Sequence, residues 1–170
     1  FLTKIFNNSE RLSLILDKLT IVTKMENGTL SIERRDIKIK ALLIEVANLL
    51  SDRYKNRQVK VIGAERVIDA DKTLIEMLFI NLIENALKYS DEDIIVEISA
   101  DKIAVIDKGM GISQENIENI TKKFYRVSEN VWNNSLGLGL SIVTYILNLH
   151  RSRLEIRSVL NEGSSFEVSL

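Results

Sequence analysis

Asn81, Asn85 and Lys88 lie in the stretch Asn81-Leu-Ile-Glu-Asn85-Ala-Leu-Lys88-Tyr89-Ser90, inside an amphipathic pattern that starts near Asp71. A four-residue spacing places the two amides on one face of a helix, one turn apart, with Lys88 beside Asn85. The other side of that helix carries Leu74, Leu78, Leu82 and Ile83. An amide oxygen is a hard, neutral ligand suited to Mg²⁺, which also takes water and phosphate oxygens. A neighbouring lysine supplies positive charge for a phosphate. Taken alone, the stretch reads first as polar decoration on the solvated face of a core helix.

Two further segments carry chemistry. Asp107-Lys-Gly109-Met-Gly111-Ile112 directly follows a strand pattern. A carboxylate at a strand end is an acceptor for an exocyclic amine of a purine, and the two glycines allow close backbone approach. The plainer reading is a tight turn containing an aspartate, since short glycine patterns are weak signals. Ser135-Leu136-Gly137-Leu138-Gly139-Leu140-Ser141-Ile142 is a glycine-rich turn opening a helix. Free N–H groups and partial positive charge at a helix start attract anions. The closing Gly-Lys-Ser/Thr of a P-loop is absent, and the third glycine of the dinucleotide fingerprint is missing.

The elements that must position these residues follow from pattern. Asp71 is a plausible N-cap for a central helix reaching about Tyr89. Residues 41–53 repeat as a helix, and Leu138–Leu149 as another. Val59–Ile62 and Arg66–Ile68 around Gly63 read as a hairpin, as do Ile94–Ser99 with Ile103–Ile106, and Leu154–Val159 with Ser165–Leu170. Thr29–Ile39 reads as a short strand and loop, Ser113–Thr121 as a short helix capped by Ser113, and Lys122–Ser135 as a loop. Residues 1–26 form an a/d seam, with Phe1, Asn8, Ile15 and Val22 in one row and Ile5, Leu12 and Leu19 in the other. Three heptads favour self-association, with packing onto its own domain as the alternative. Asn8 either biases register or lies at a frayed end. The pattern stops at Asn27-Gly28, a natural helix terminus. Residues 1–27 and 28–170 are the expected domains.

The chain of 170 residues is 45% hydrophobic, so a globular core is expected. A net charge of −1 gives no basic field for nucleic acid. The absence of cysteine excludes disulfides and thiolate metal sites. No apolar run is long enough to span a membrane, so no membrane contact by this segment is expected. Phe1 already stands in helical periodicity, so the sequence is expected to be a fragment of a longer protein.

Each motif is weak, but their order within about 60 residues is specific: amide helix, Asp-x-Gly-x-Gly, polar loop, then Gly-Leu-Gly-Leu. In that order the chain resembles the ATP-binding catalytic domain of sensor histidine kinases, a branch of the ATPase superfamily that includes gyrase, the MutL repair proteins and a heat-shock chaperone. Asn81–Asn85 resembles the family's N box, and Asp107–Gly111 its first glycine box. Lys123-Phe124-Tyr125-Arg126 resembles the F box, and Gly137–Gly139 the second glycine box. Residues 1–26 resemble the second helix of the dimerisation hairpin.

The resemblance implies an α+β fold, a two-layer α/β sandwich whose mixed sheet is covered by three helices on one face, preceded by a long bundle-forming helix. It implies ATP and Mg²⁺ as cofactors. Asp107 would take the adenine amine, Asn85 would bind Mg²⁺ with Asn81 beside it, and Tyr89 would lie near the nucleoside. Gly109, Gly111, Ile112, Phe124 and Tyr125 would line the same site. Asn81, Lys88 and Arg126 are the candidates for phosphoryl positioning. Ser135, Leu136, Gly137, Leu138, Gly139 and Leu140 would approach the phosphates, under a lid of residues 127–136. The reaction implied is transfer of the γ-phosphoryl group to a histidine on a helix absent from this sequence, then to the receiver domain of a response regulator. The intact protein would be a homodimer, with this part cytoplasmic and the parent anchored in the inner membrane.

Several residues refine that expectation. The hydrolytic cousins carry Glu where Asn81 stands, and an amide cannot act as a general base at neutral pH. This disfavours the rival readings of a true ATPase or a protein serine kinase. Glu84 adjoins Asn85 but points about 100° away on a helix. It reads first as a surface or interdomain residue, with activation of an acceptor imidazole as the second reading. His150 is the one histidine; it reads as a structural helix-end residue, favoured by the dipole when charged. The sequence departs from the family pattern at Ser135 and Leu136, where Gly-Thr is usual. It departs again at Thr121, where an aromatic is usual, and at Arg151 and Ser152, where glycines are. A signalling and dimerisation module that no longer binds nucleotide is therefore the other rival. Trp132 would either cover nucleotide or contact another domain.

Overall fold

The computed structural model describes residues 16, 18–54, 57–127 and 136–170. The chain divides into two compact units, Phe1–Ile32 and Glu33–Leu170. In the first unit, residues 18–26 are helical (α1). The helix stops where the sequence places its stop. Gly28 takes a φ of 62°, in the left-handed region, and the Thr29 amide donates to the Lys24 carbonyl at 3.0 Å. Seam positions Phe1, Ile5, Asn8, Leu12 and Ile15 lie outside the described residues.

The second unit runs β1 (Arg35–Lys38), α2 (Ile39–Arg53), β2 (Val59–Gly63), β3 (Val67–Ala70), α3 (Lys72–Tyr89), β4 (Ile94–Ile98), β5 (Ile103–Asp107), α4 (Gln114–Ile117), α5 (Gly139–Leu149), β6 (Arg153–Val159) and β7 (Gly163–Ser169). Five strands form a mixed sheet in the order β2-β4-β5-β7-β6, with β2 parallel to β4 and the other pairs antiparallel. β1 and β3 pair antiparallel as a separate small sheet. Helices α2, α3 and α5 pack beside one another on one face of the main sheet, giving the expected α+β sandwich.

Strand alternation explains which face they cover. Ile94, Val96 and Ile98 of β4, Ile103 and Val105 of β5, and Phe166 and Val168 of β7 are buried. Residues between them face the other way. Glu97, Ala104, Glu167 and Glu155 form one cross-strand row there, and Lys102 Nζ lies 3.0 Å from Glu155 and 3.1 Å from Glu167. In α3, Leu78, Phe79, Leu82 and Ile83 are fully buried, so removing their apolar surface from water holds the helix against the sheet. Asp71 caps α3 as its sequence implies, its carboxylate accepting the Leu74 amide at 3.1 Å. At the far end, the Arg57 guanidinium donates to the carbonyls of Leu87 and Ser90, which the end of the helix leaves without intrahelical partners.

Two sequence expectations are overturned. β2 and β3 do not form a hairpin: β2 pairs with β4 and β3 with β1. At Gly63 a β-carbon would stand 2.1 Å from the Ile98 carbonyl oxygen, so the glycine permits the β2–β4 approach and does not serve a turn between β2 and β3. The helix expected over Ser113–Thr121 covers only Gln114–Ile117, with turns after it. Ser113 does not cap it through a side-chain bond to a backbone amide; its hydroxyl instead accepts from the Asn116 amide group at 2.8 Å.

Candidate functional site

α3 and α5 meet where the sequence places two of its motifs. A β-carbon on Gly139 would lie 3.2 Å from Asn81 Oδ1 and 3.7 Å from Asn85 Nδ2. The first residue of α5 therefore sits against both amides. Asn81 is buried, and its Nδ2 donates to the Met77 carbonyl at 2.8 Å, which leaves its oxygen turned toward Gly139. Leu138, the N-cap of α5, supplies no side-chain cap, so the first-turn N–H groups are not taken by a capping side chain. Leu138 is itself buried and anchors the turn in the core. The result is a helix N-terminus with partial positive charge beside two neutral amides, an arrangement suited to phosphate.

The Asp107 turn is built around backbone contacts. The Asp107 carboxylate accepts the Gly109 amide at 2.8 Å and is buried at 6% exposure. Burial pushes its carboxyl above the ordinary carboxylate value; backbone hydrogen bonds from Gly109 and Ser164 pull the other way. The Met110 amide donates to the Tyr89 carbonyl at 3.2 Å, tying this turn to the end of α3. A β-carbon on Gly109 would stand 2.1 Å from that same carbonyl oxygen. Gly111 has a φ of 64°, and its β-carbon would stand 2.0 Å from the Val159 carbonyl oxygen. The glycines thus let this turn approach protein backbone on two sides. Behind them the Ile112 amide donates to Ser158 Oγ at 2.8 Å.

The second glycine motif touches the Phe124 segment. Phe124 N–H donates to the Gly137 carbonyl at 2.9 Å, and Phe124 itself has a φ of 63°. Tyr125 Oη donates to Asn116 Oδ1 at 2.5 Å. Phe124, Arg126 and Leu136 are exposed, and Leu140 is half-buried. Ser135, Trp132 and the lid span 128–135 lie outside the described residues.

Glu84 differs from its first reading. Glu84 is no surface residue: it is 8% exposed, and its Oε1 accepts from Arg53 Nη1 of α2 at 2.9 Å. Lys88 Nζ lies 3.8 Å from Glu84 Oε2. His150 is structural, as expected, and forms the C-cap of α5. Its Nε2 accepts the Asp71 amide at 3.1 Å while its Nδ1 faces the Ile146 carbonyl at 2.8 Å, the pattern of a neutral ring protonated at Nδ1. Arg53, Asn116 and Ser158 were missed by motif reading, because each supports the site from an element outside the motifs. Among the described residues, no group of three or more His, Cys, Asp or Glu could hold a metal. Among them, too, no helix is long and apolar enough to cross a membrane.

Comparison with known proteins fits this geometry. Residues 70–170 match the family described as histidine kinase-, DNA gyrase B-, and HSP90-like ATPase. The sensor histidine kinase AtsR of Burkholderia thailandensis is 29% identical over 96% of this chain, which spans 30% of that protein. The phosphate regulon sensor protein PhoR of Pseudomonas aeruginosa is 30% identical over 92% of this chain, which spans 38% of it. Among solved structures, full-length ShkA in complex with AMPPNP superposes with a TM-score of 0.84 at 20% identity, covering 98% of this chain and 37% of that one. The nucleotide-free catalytic domain of the histidine kinase ThkA gives 0.68 at 25% identity, covering 81% of this chain and 95% of that one.

Proposed function

The chain belongs to the histidine kinase-, DNA gyrase B-, and HSP90-like ATPase family, and we propose that it is the ATP-binding catalytic part of a sensor histidine kinase. One observation carries the reading: the start of α5, free of any side-chain cap, faces the Asn81 and Asn85 amides across Gly139. In this reading Asp107 accepts the adenine amine, and Tyr89, Gly109, Gly111 and Ile112 line the base side. Lys88 and Arg126 neutralise phosphate charge, and Phe124 and Tyr125 flank them. Backbone N–H groups from Leu136 to Leu140 hold the phosphates, with Ser135 at the lid. Asn85 gives one neutral oxygen to Mg²⁺. A single amide, with no three-residue ligand cluster among the described residues, fits an ion that arrives with the nucleotide. Bound there, it supplies positive charge against the triphosphate.

Asn81 separates transfer from hydrolysis. Its Nδ2 is committed to the Met77 carbonyl, and an amide takes no proton from water at neutral pH. Its site therefore positions phosphates without generating a hydroxide. His150, the one histidine, uses both ring nitrogens inside the fold, so the acceptor histidine belongs to another helix. Residues 1–27 serve as the second helix of a dimerisation hairpin, and 28–170 as the catalytic domain. A second copy of the protein, that acceptor helix and the receiver domain of a response regulator are the partners. The working location is the cytoplasmic side of an inner membrane that anchors the parent.

Calorimetric titration with a non-hydrolysable ATP analogue, with and without Mg²⁺ and beside GTP, tests this. Saturable, adenine-selective, Mg²⁺-sensitive binding is expected. A folded sample that ignores millimolar nucleotide would overturn it.

A further inference from the structure

We propose that Asn116 is a positioning residue for the phosphates, acting through Tyr125 as one end of a crossbeam between the base side and the phosphate side of the site. The proposal rests on the site reading given above and extends it to a residue outside every motif. Asn116 lies in α4 and uses both ends of its amide. Its Oδ1 accepts from Tyr125 Oη at 2.5 Å, and its Nδ2 donates to Ser113 Oγ at 2.8 Å. Ser113 adjoins Ile112, whose amide donates to Ser158 Oγ of β6 at 2.8 Å. The Ser158 hydroxyl donates in turn to the Gly163 carbonyl at 2.9 Å. A β-carbon on Gly163 would stand 2.1 Å from the Asp107 carbonyl oxygen. The base-side turn is thus seated on β6 and β7, and Asn116 is tied to that seat.

The other end of the crossbeam is the second glycine turn. The Phe124 amide donates to the Gly137 carbonyl at 2.9 Å. A β-carbon on Gly137 would lie 2.8 Å from the Tyr125 carbonyl oxygen, so the turn rests directly on the Phe124–Tyr125 step. Just beyond it, Gly139 faces the Asn81 and Asn85 amides. One short step of chain therefore holds the phosphate turn through its backbone and the base side through the Tyr125 hydroxyl.

That step is strained. Phe124 has a φ of 63°, in the left-handed region that a bulky side chain rarely adopts. Such a conformation persists where the surrounding structure holds it. Packing of the Phe124 ring does not hold it, because the residue is 63% exposed. The Gly137 bond grips the step on one side, and the Asn116 bond grips it on the other. Without the Asn116 bond, Phe124 can relax to a negative φ. That rotation turns its amide away from Gly137, and the second glycine turn loses its register with the two amides. Adenine against Asp107 would not sense the change, whereas the phosphates would.

The test compares ATP with adenosine, each with Mg²⁺, by calorimetry on the parent, Tyr125→Phe, Asn116→Leu and the double variant. Tyr125→Phe removes one hydroxyl and is expected to weaken ATP about two- to tenfold, the net worth of one hydrogen bond. Asn116→Leu should weaken ATP by the same factor. The double variant should be no weaker than either single one, because both substitutions remove the same bond. Adenosine should bind all four alike. Circular dichroism melting confirms that each is folded at the titration temperature. If folded single variants bind ATP like the parent, if adenosine weakens by the same factor as ATP, or if the two losses add, Asn116 and Tyr125 do not act as one crossbeam and the proposal is wrong. If the parent itself binds neither ATP nor adenosine, the site reading fails and takes the crossbeam with it.

Discussion

The Nε2 atom of His150 accepts the backbone N–H of Asp71 at 3.1 Å, joining the end of α5 to the N-cap of α3. Asp71 in turn uses one carboxylate oxygen for Leu74 and the other for the Glu33 amide at 2.9 Å. His150→Ala would leave the half-buried Asp71 amide and the Ile146 carbonyl without that partner. Loss of such bonds costs about 1–3 kcal/mol, to be read in urea unfolding. Nucleotide affinity should stay that of the parent, since the contact lies at the opposite ends of these helices from Gly139.

Asp107→Asn should separate binding from stability. The amide puts an NH₂ donor where adenine also brings a donor, so ATP affinity should fall about tenfold or more, measured by titration. Stability should not fall with it. Burial raises the Asp107 carboxyl above its ordinary value of 3.8. A raised carboxyl favours the native state below that ordinary value, and the advantage is lost as pH rises through the raised one. The melting temperature of the Asn variant relative to the parent should therefore increase from pH 3 to neutrality, a range of about four units spanning that window.

Gly111→Ala should damage the fold itself. The added methyl would stand 2.0 Å from the Val159 carbonyl oxygen at a φ of 64°. Strain of this kind costs about 1–3 kcal/mol before the clash is counted, and chemical denaturation should report at least that. A variant as stable as the parent would show that the turn can move off β6.

Asn85→Ala keeps the helix, since alanine is the better helix former. ATP binding should lose its response to Mg²⁺, while adenosine binding in the same titration stays unchanged. Retained Mg²⁺ dependence would remove Asn85 from the proposed ligand set.

The central helix was legible because its determinants are local: the Asp71 cap, the 3.6-residue period of Leu74, Leu78 and Leu82, and the end at Tyr89 all lie within it. The β4–β5 and β6–β7 hairpins were legible for the same reason. The β2–β3 expectation failed because short β-branched runs around a glycine look alike whether the partner is adjacent or distant. The true partner of β2 lies beyond α3, and only the space at Gly63 reveals it. The motif residues were legible as an ordered set, yet their supports were not. Helix periodicity turns Glu84 away from Asn85, but nothing local says that α2 and Arg53 fill that side.

The parallel pairing of β2 with β4 has a kinetic consequence. The two strands are joined by a chain that contains β3 and all of α3. Hairpins close over short loops, whereas a parallel pair must wait for its crossover to be in place, and long closures are slow. The helix bearing Asn81 and Asn85 is thus enclosed by one of the late pairings of the sheet. A chain interrupted in folding would hold its hairpins while α3 is still undocked, and the amide face would have no α5 to meet. A nucleotide titration is therefore expected to report completed assembly more strictly than a measure of secondary structure does.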